Sequence, residues 1–94
     1  MSFKVSRAAE ADLANIYADS VELFGYRQAD RYLNELWDRF GTIAADPLMA
    51  PERKELGRNM RVSPYQSHII IYTLDGTDVL IVRVRHSRED WIVR

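Results

Sequence analysis

The chain has 94 residues, with 13 Lys/Arg against 14 Asp/Glu, net charge −1, 47% apolar and 29% charged residues. That balance reads as one ordinary globular domain over 1–94, large enough for a two-layer core, and it argues against disorder. The absence of cysteine removes disulfide scaffolds and thiolate metal sites and suits a reducing cytoplasm. No basic-then-apolar leader opens the chain, and no apolar run nears the roughly 20 residues that span a bilayer, so neither secretion nor membrane insertion is expected.

Charge is unevenly placed: residues 1–47 carry five Lys/Arg against eight Asp/Glu, and residues 48–94 carry eight against six. An acidic first half and a basic second half point to different partners for the two halves.

In chain order, Phe3-Lys4-Val5 is a short strand candidate, and Ser6 is placed to cap a helix. From Arg7 to Phe24, Ala9, Leu13, Ile16, Ser20, Leu23 and Phe24 recur at helix spacing, with Glu10, Asp12, Asp19 and Glu22 mostly on the other side. Gly25 closes that helix, in the left-handed αL conformation by expectation. A second helical run takes in Ala29, Leu33, Leu36, Trp37, Phe40, Ile43 and Ala44 and stops at Asp46-Pro47, because the residue before proline leaves the helical region. So short a connection folds the helices into an antiparallel hairpin. Gly41 inside the second helix marks either a close backbone approach or a tolerated cost of roughly 1 kcal/mol.

After the irregular stretch from Pro47 to Gly57, Arg58–Ser63 reads as a strand and Pro64-Tyr65-Gln66 as a turn. Two alternating apolar runs follow, Ser67–Leu74 and Asp78–Arg85, joined at Asp75-Gly76, a strong hairpin signal. Strand parity gives this hairpin two faces. One carries Ile69, Ile71, Leu80, Val82 and Val84, and Met60 and Val62 join it. The other carries His68, Ile70, Tyr72, Val79, Ile81, Arg83 and Arg85, with Arg61 beside them. Burying unpaired charge is costly, so the helices are expected to cover the arginine-free face through Leu33, Leu36, Trp37 and Phe40. The mixed face is then left open. The fold expected is α+β, a two-layer β-α-α-β-β-β arrangement with a helical hairpin on one face of a mostly antiparallel sheet. Residues 87–94 form either a helix turn or a last edge strand.

The open face can be read in two ways. Arg61, Arg83 and Arg85 near His68 can bind phosphates and stabilise an oxyanion, or they can be solvated residues of a sheet surface. Ile70, Tyr72, Val79 and Ile81 among them favour a covered binding surface. A metal centre is not expected: the only histidines, His68 and His86, fall on opposite faces by parity, and no clustered carboxylates accompany them.

The segment 8–36, AAEADLANIYADSVELFGYRQADRYLNEL, resembles the helical hairpin of the RelE/ParE superfamily, the toxins of bacterial type II toxin–antitoxin pairs. Glu-Leu-Gly-Arg-Asn-Met-Arg at 55–61, His-Ile-Ile-Ile-Tyr at 68–72 and Val-Arg-His-Ser-Arg-Glu-Asp at 84–90 are similar to the ParE branch in the same order. Each motif is short; the ordered set covers Val5 to Asp90. The resemblance implies a cytoplasmic toxin neutralised by an antitoxin, ParD-like with a ribbon-helix-helix start, whose C-terminal segment lies across the toxin. In the ParE branch the usual target is DNA gyrase; in the RelE branch it is mRNA in the ribosomal A site. Arg61 and Arg83 match positions where RelE-type toxins hold catalytic or RNA-binding arginines.

Two departures favour the ParE side. The tail has Trp91 where RelE-type nucleases often place a tyrosine, and Lys54 is the only lysine after Lys4. A net charge near zero also suits ribosome binding poorly. The favoured expectation is a non-nucleolytic gyrase poison with no cofactor, no metal and no sequence-specific DNA contact of its own. Its target and antitoxin would be met by Arg61, His68, Ile70, Tyr72, Ile81, Arg83, Arg85, Arg88 and Trp91. The alternative is a ribosome-dependent endoribonuclease using Arg61, Arg83 and His86. An inert remnant, or a chain that serves solely as a repressor partner, is the third and weaker possibility.

Overall fold

Ser6 opens the first helix as its residue type dictates: its backbone is extended and its hydroxyl accepts the Ala9 amide at 3.0 Å. The computed structural model describes residues 2–88. Strand β1 (Phe3–Val5) leads into helices α1 (Arg7–Phe24) and α2 (Tyr26–Ala45), followed by β2 (Arg61–Tyr65), β3 (His68–Asp75) and β4 (Asp78–His86). A 3-10 turn at Lys54–Leu56 interrupts the long connection before β2. The sheet order is β1-β4-β3-β2, with β1 parallel to β4 and the other pairs antiparallel. The α+β, β-α-α-β-β-β expectation holds, with a sheet that is mixed rather than antiparallel throughout.

One residue, Gly25, separates the helices. It sits at φ 89° and ψ 169°, which is not αL but a region open essentially to glycine alone. Its amide bonds the Val21 carbonyl at 2.8 Å and its carbonyl accepts the Ala29 amide at 3.1 Å, so it ends one helix and starts the next. Gly41 meets no close neighbour: a Cβ added there would touch nothing within 4 Å. The close-approach reading of Gly41 therefore falls.

Three local expectations are corrected. Tyr65 ends β2, and the turn into β3 is Gln66-Ser67 rather than Pro64-Tyr65-Gln66. In the hairpin, Asp75 pairs with Asp78 and the loop is Gly76-Thr77, with Gly76 at φ 63°. Positive φ at the first central residue alone fits a type II′ turn, which places glycine there. The pairing slips by two residues from that expected of an Asp75-Gly76 centre, which leaves faces unchanged.

The faces themselves are the third correction. Tyr72 pairs with Ile81 but Ile71 pairs with Arg83, so Val82 is an extra residue, a β-bulge. Beyond it parity reverses. Val84 and His86 join His68, Ile70, Tyr72, Val79 and Ile81 on one side, while Arg83 and Arg85 fall opposite Ile71 and Ile69. With the arginines of β4 moved off it, this is the face the helices cover. Leu13 and Ile16 of α1 and Leu36, Phe40 and Ile43 of α2 pack on Ile70, Tyr72, Val79, Ile81 and Val84. Ile70, Tyr72 and Ile81, expected on an open surface, are 0% exposed. Trp37 remains at the rim, 43% exposed, its ring 5.9 Å from that of Phe3. Val62, Ile69 and Ile71 form a second cluster with Leu56, Met60 and Val82 on the far face, instead of facing the helices. None of the described helices is long and apolar enough to cross a membrane.

Candidate functional site

β1 stops at Val5, so among the described residues the last part of β4 has no strand on its outer edge, and the start of α1 takes over the hydrogen bonds there. The Ser6 amide bonds the Ile81 carbonyl at 3.0 Å, and the Ser6 hydroxyl bonds the carbonyl of the bulged Val82 at 2.7 Å. Two turns on, Asp12 supplies the next acceptor. Its Oδ2 takes the Val84 amide at 3.0 Å and Arg83 Nε at 2.8 Å. Its Oδ1 takes Arg83 Nη2 at 2.8 Å and lies 3.5 Å from Arg85 Nη1. A buried backbone amide needs a partner, and here a carboxylate serves where a strand would otherwise stand.

Asp12 is only 8% exposed. Burial pushes its carboxyl up, but the Arg83 hydrogen bonds, the Val84 amide and the two guanidinium charges outweigh that and hold it below the usual carboxylate range. Paired in two parallel bonds, Arg83 is a clamp on α1.

One strand over, where β3 begins, four aromatic rings meet. Tyr32 Oη is 2.6 Å from His68 Nδ1 and 3.4 Å from the Tyr65 carbonyl. The His68 and His86 rings meet edge to face with centroids 5.3 Å apart. The bulge is why: it sets His86 opposite His68, where unbroken parity separates them. His86 Nδ1 accepts the Arg88 amide at 3.1 Å, which in the neutral ring leaves the proton on Nε2. Burial first, then the neighbouring Tyr65 and Glu35, push the Tyr32 phenol up to about 12, so it is protonated at neutral pH. Its single proton goes either to His68 Nδ1 or to the Tyr65 carbonyl, and that choice sets the His68 tautomer.

Among the described residues, clefts of about 170, 260 and 240 Å³ converge on His68. The first runs under Phe24, Gln28 and Tyr32; the second passes Asp12, Asn15 and Arg85; the third lies between Leu23 and His86. Above them the hairpin tip carries Leu23, Phe24 and Tyr26, exposed by 72, 60 and 70%.

Of the residues expected at a site, His68, Arg83, Arg85 and His86 are gathered here, with exposed Arg88 beside them. Ile70, Tyr72 and Ile81 are core, because the bulge turned their face toward the helices. Arg61 pairs with Tyr72 at the opposite edge of the sheet, and its Nη1 donates to the Ala50 carbonyl at 2.5 Å. It lies two strands from β4, about 10 Å at the usual strand spacing. Trp91 lies outside the described residues. Sequence reading missed Asp12 and Tyr32, although spacing carried the signal: Asp12 is three residues from Ala9 and four from Ile16, and Tyr32 three from Ala29 and four from Leu36. Among the described residues no group of three His, Cys, Asp or Glu side chains is placed to hold a metal ion.

The family profile described as the ParE toxin of the type II toxin–antitoxin system parDE matches residues 3–91. Toxin ParE1 of Caulobacter vibrioides is 34% identical over 85 residues, 90% of this chain and 88% of its own length. Toxin ParE1 of Mycobacterium tuberculosis is 32% identical over 89 residues, 94% of this chain and 91% of its own. Among solved structures, the chromosomal ParDE system of P. aeruginosa superposes with a TM-score of 0.80 at 22% identity, covering 92% of this chain and 95% of that one. The toxin–antitoxin complex RelBE2 of Mycobacterium tuberculosis superposes at 0.68, also at 22% identity, covering 94% and 92%.

Proposed function

The chain belongs to the ParE toxin family of type II toxin–antitoxin systems, and from that premise we propose that it arrests growth by poisoning DNA gyrase through protein contacts, without a catalytic step of its own. A cognate ParD-like antitoxin neutralises it. The observation that carries this reading is the clamp between Asp12 and Arg83.

In-line RNA cleavage needs a base for the 2′-hydroxyl, an acid for the leaving 5′-oxygen and cations on the phosphate, with each proton-transfer group contributing about 10²–10⁴ in rate. The nuclease reading draws these from Arg61, Arg83 and His86. Arg83 is committed to a buried carboxylate, and Arg61 sits at the far edge of the sheet. The three do not converge on one phosphate. His68, His86, Arg85 and Arg88 lie together at the end of β4, with His86 beside Arg88, so the nuclease reading rests on this group, and His86→Ala is the variant that tests it.

The test is direct. Purified chain is added to gyrase with relaxed plasmid, and in parallel to translating ribosomes with a defined transcript. Loss of supercoiling, or gyrase-dependent linear DNA, with the transcript intact is the expected result. Transcript cleavage that disappears in His86→Ala, with gyrase unaffected, would replace this reading with the nuclease.

A further inference from the structure

Three large apolar side chains stand exposed within four residues at the tip of the helical hairpin: Leu23 (72%), Phe24 (60%) and Tyr26 (70%). Apolar exposure so concentrated marks a contact surface. Directly beside it lie the 170 Å³ and 240 Å³ clefts that share His68, and Phe24 lines both. Knob and hole therefore occupy one patch. That is the requirement of a two-fold interface, in which the same surface must complement itself.

Charge follows the same pattern. On α1 the patch is flanked by exposed Asp19 and Glu22, and on α2 by exposed Arg27 and Arg31, with exposed Asp30 between the arginines in sequence and bonded to Tyr17 of α1. Asp19, Glu22 and Asp30 against Arg27 and Arg31 leave this tip slightly acidic, so a nucleic acid or a strongly acidic segment finds no net attraction here. A copy of the same patch turned by 180° does, because the acidic wall of α1 then faces the basic wall of α2.

We propose that the hairpin tip is a self-association surface, on which a second copy of this chain seats its Leu23 and Phe24 in the clefts around His68. The two-fold axis passes beside Phe24, and Asp19 and Glu22 of each copy face Arg27 and Arg31 of the other. The proposal does not depend on gyrase being the target.

Sedimentation velocity of the purified full chain, free of antitoxin, tests it from roughly 1 to 300 µM, the range of small transient interfaces. The wild type is expected to pass from monomer to dimer as concentration rises. Phe24→Asp should weaken association at least about 10-fold, as loss of a central aromatic anchor does, with its far-UV circular dichroism and melting temperature unchanged. The pair Arg27→Glu and Arg31→Glu should weaken it too, and adding Asp19→Lys and Glu22→Lys should restore it. A chain that stays monomeric throughout, or a dimer that Phe24→Asp leaves intact, overturns the proposal.

Discussion

The two halves of β4 are held by different means. From Val79 to Ile81 the strand lies between β1 and β3 and buries Val79 and Ile81 completely under the helices. After the bulge at Val82 no strand among the described residues lies on its outer side; Ser6 and Asp12 bond its carbonyl and amide, and two arginines close on the carboxylate. The first half is stabilised mainly by apolar packing, which has no group to titrate. The second depends on one charged group. Polar and titratable side chains accumulate where strand pairing ends, because there the backbone must find side-chain partners, and the candidate site occupies that place.

Ile81→Asp attacks the first half and should have the largest effect. A carboxylate with no partner in that core costs several kcal/mol or more, enough to prevent folding of a small domain. A cooperative melting transition retained in this variant would return Ile81 to an exposed face.

Asp12→Asn attacks the second half. The folded carboxyl titrates below its unfolded value of about 3.9, so its contribution is present above that pH and is lost as pH falls through the folded value. The stability gap between wild type and Asp12→Asn should be wide at pH 6 and close below about pH 4. A gap that does not change with pH would mean the carboxylate charge is not what holds this half.

Tyr32→Phe separates the halves at the opposite extreme of pH. With its phenol raised to about 12, Tyr32 favours folding below the unfolded value of about 10 and loses that contribution as pH rises from about 10 to about 12. Wild type should lose stability over that window and Tyr32→Phe should lose less, as read by chemical denaturation. The smallest effect is expected far from β4, where Gly41→Ala meets open space and should stabilise α2 by up to about 1 kcal/mol.

Much of the frame was legible from local chemistry. The Ser6 cap, the helix-breaking Gly25 and the Asp46-Pro47 stop marked the helices, and the core residues Leu36 and Phe40 lay in a plain helical stripe. What misled was parity carried unbroken through Val82-Arg83-Val84-Arg85. That alternation is regular, and no glycine or proline marks a bulge in it. The rule that helices avoid covering arginines was sound, yet it selected the wrong face because the bulge had already carried Arg83 and Arg85 across. The bulge falls where β1 has ended at Val5 and α1 bonds the strand's edge, a tertiary arrangement that no local window of sequence contains. Asp12 was a different kind of miss, since its spacing from Ala9 and Ile16 placed it on the buried side of α1 despite its charge.

A double-mutant cycle shows whether Arg83 clamps Asp12. Stability to urea is measured for wild type, Asp12→Asn, Arg83→Gln and the double variant at pH 7 and moderate salt. A coupling of about 1–3 kcal/mol, in the upper range for side chains in contact, is the result expected. Coupling below about 0.5 kcal/mol, the value of independent sites, would mean that Arg83 does not hold Asp12 and is available for other contacts.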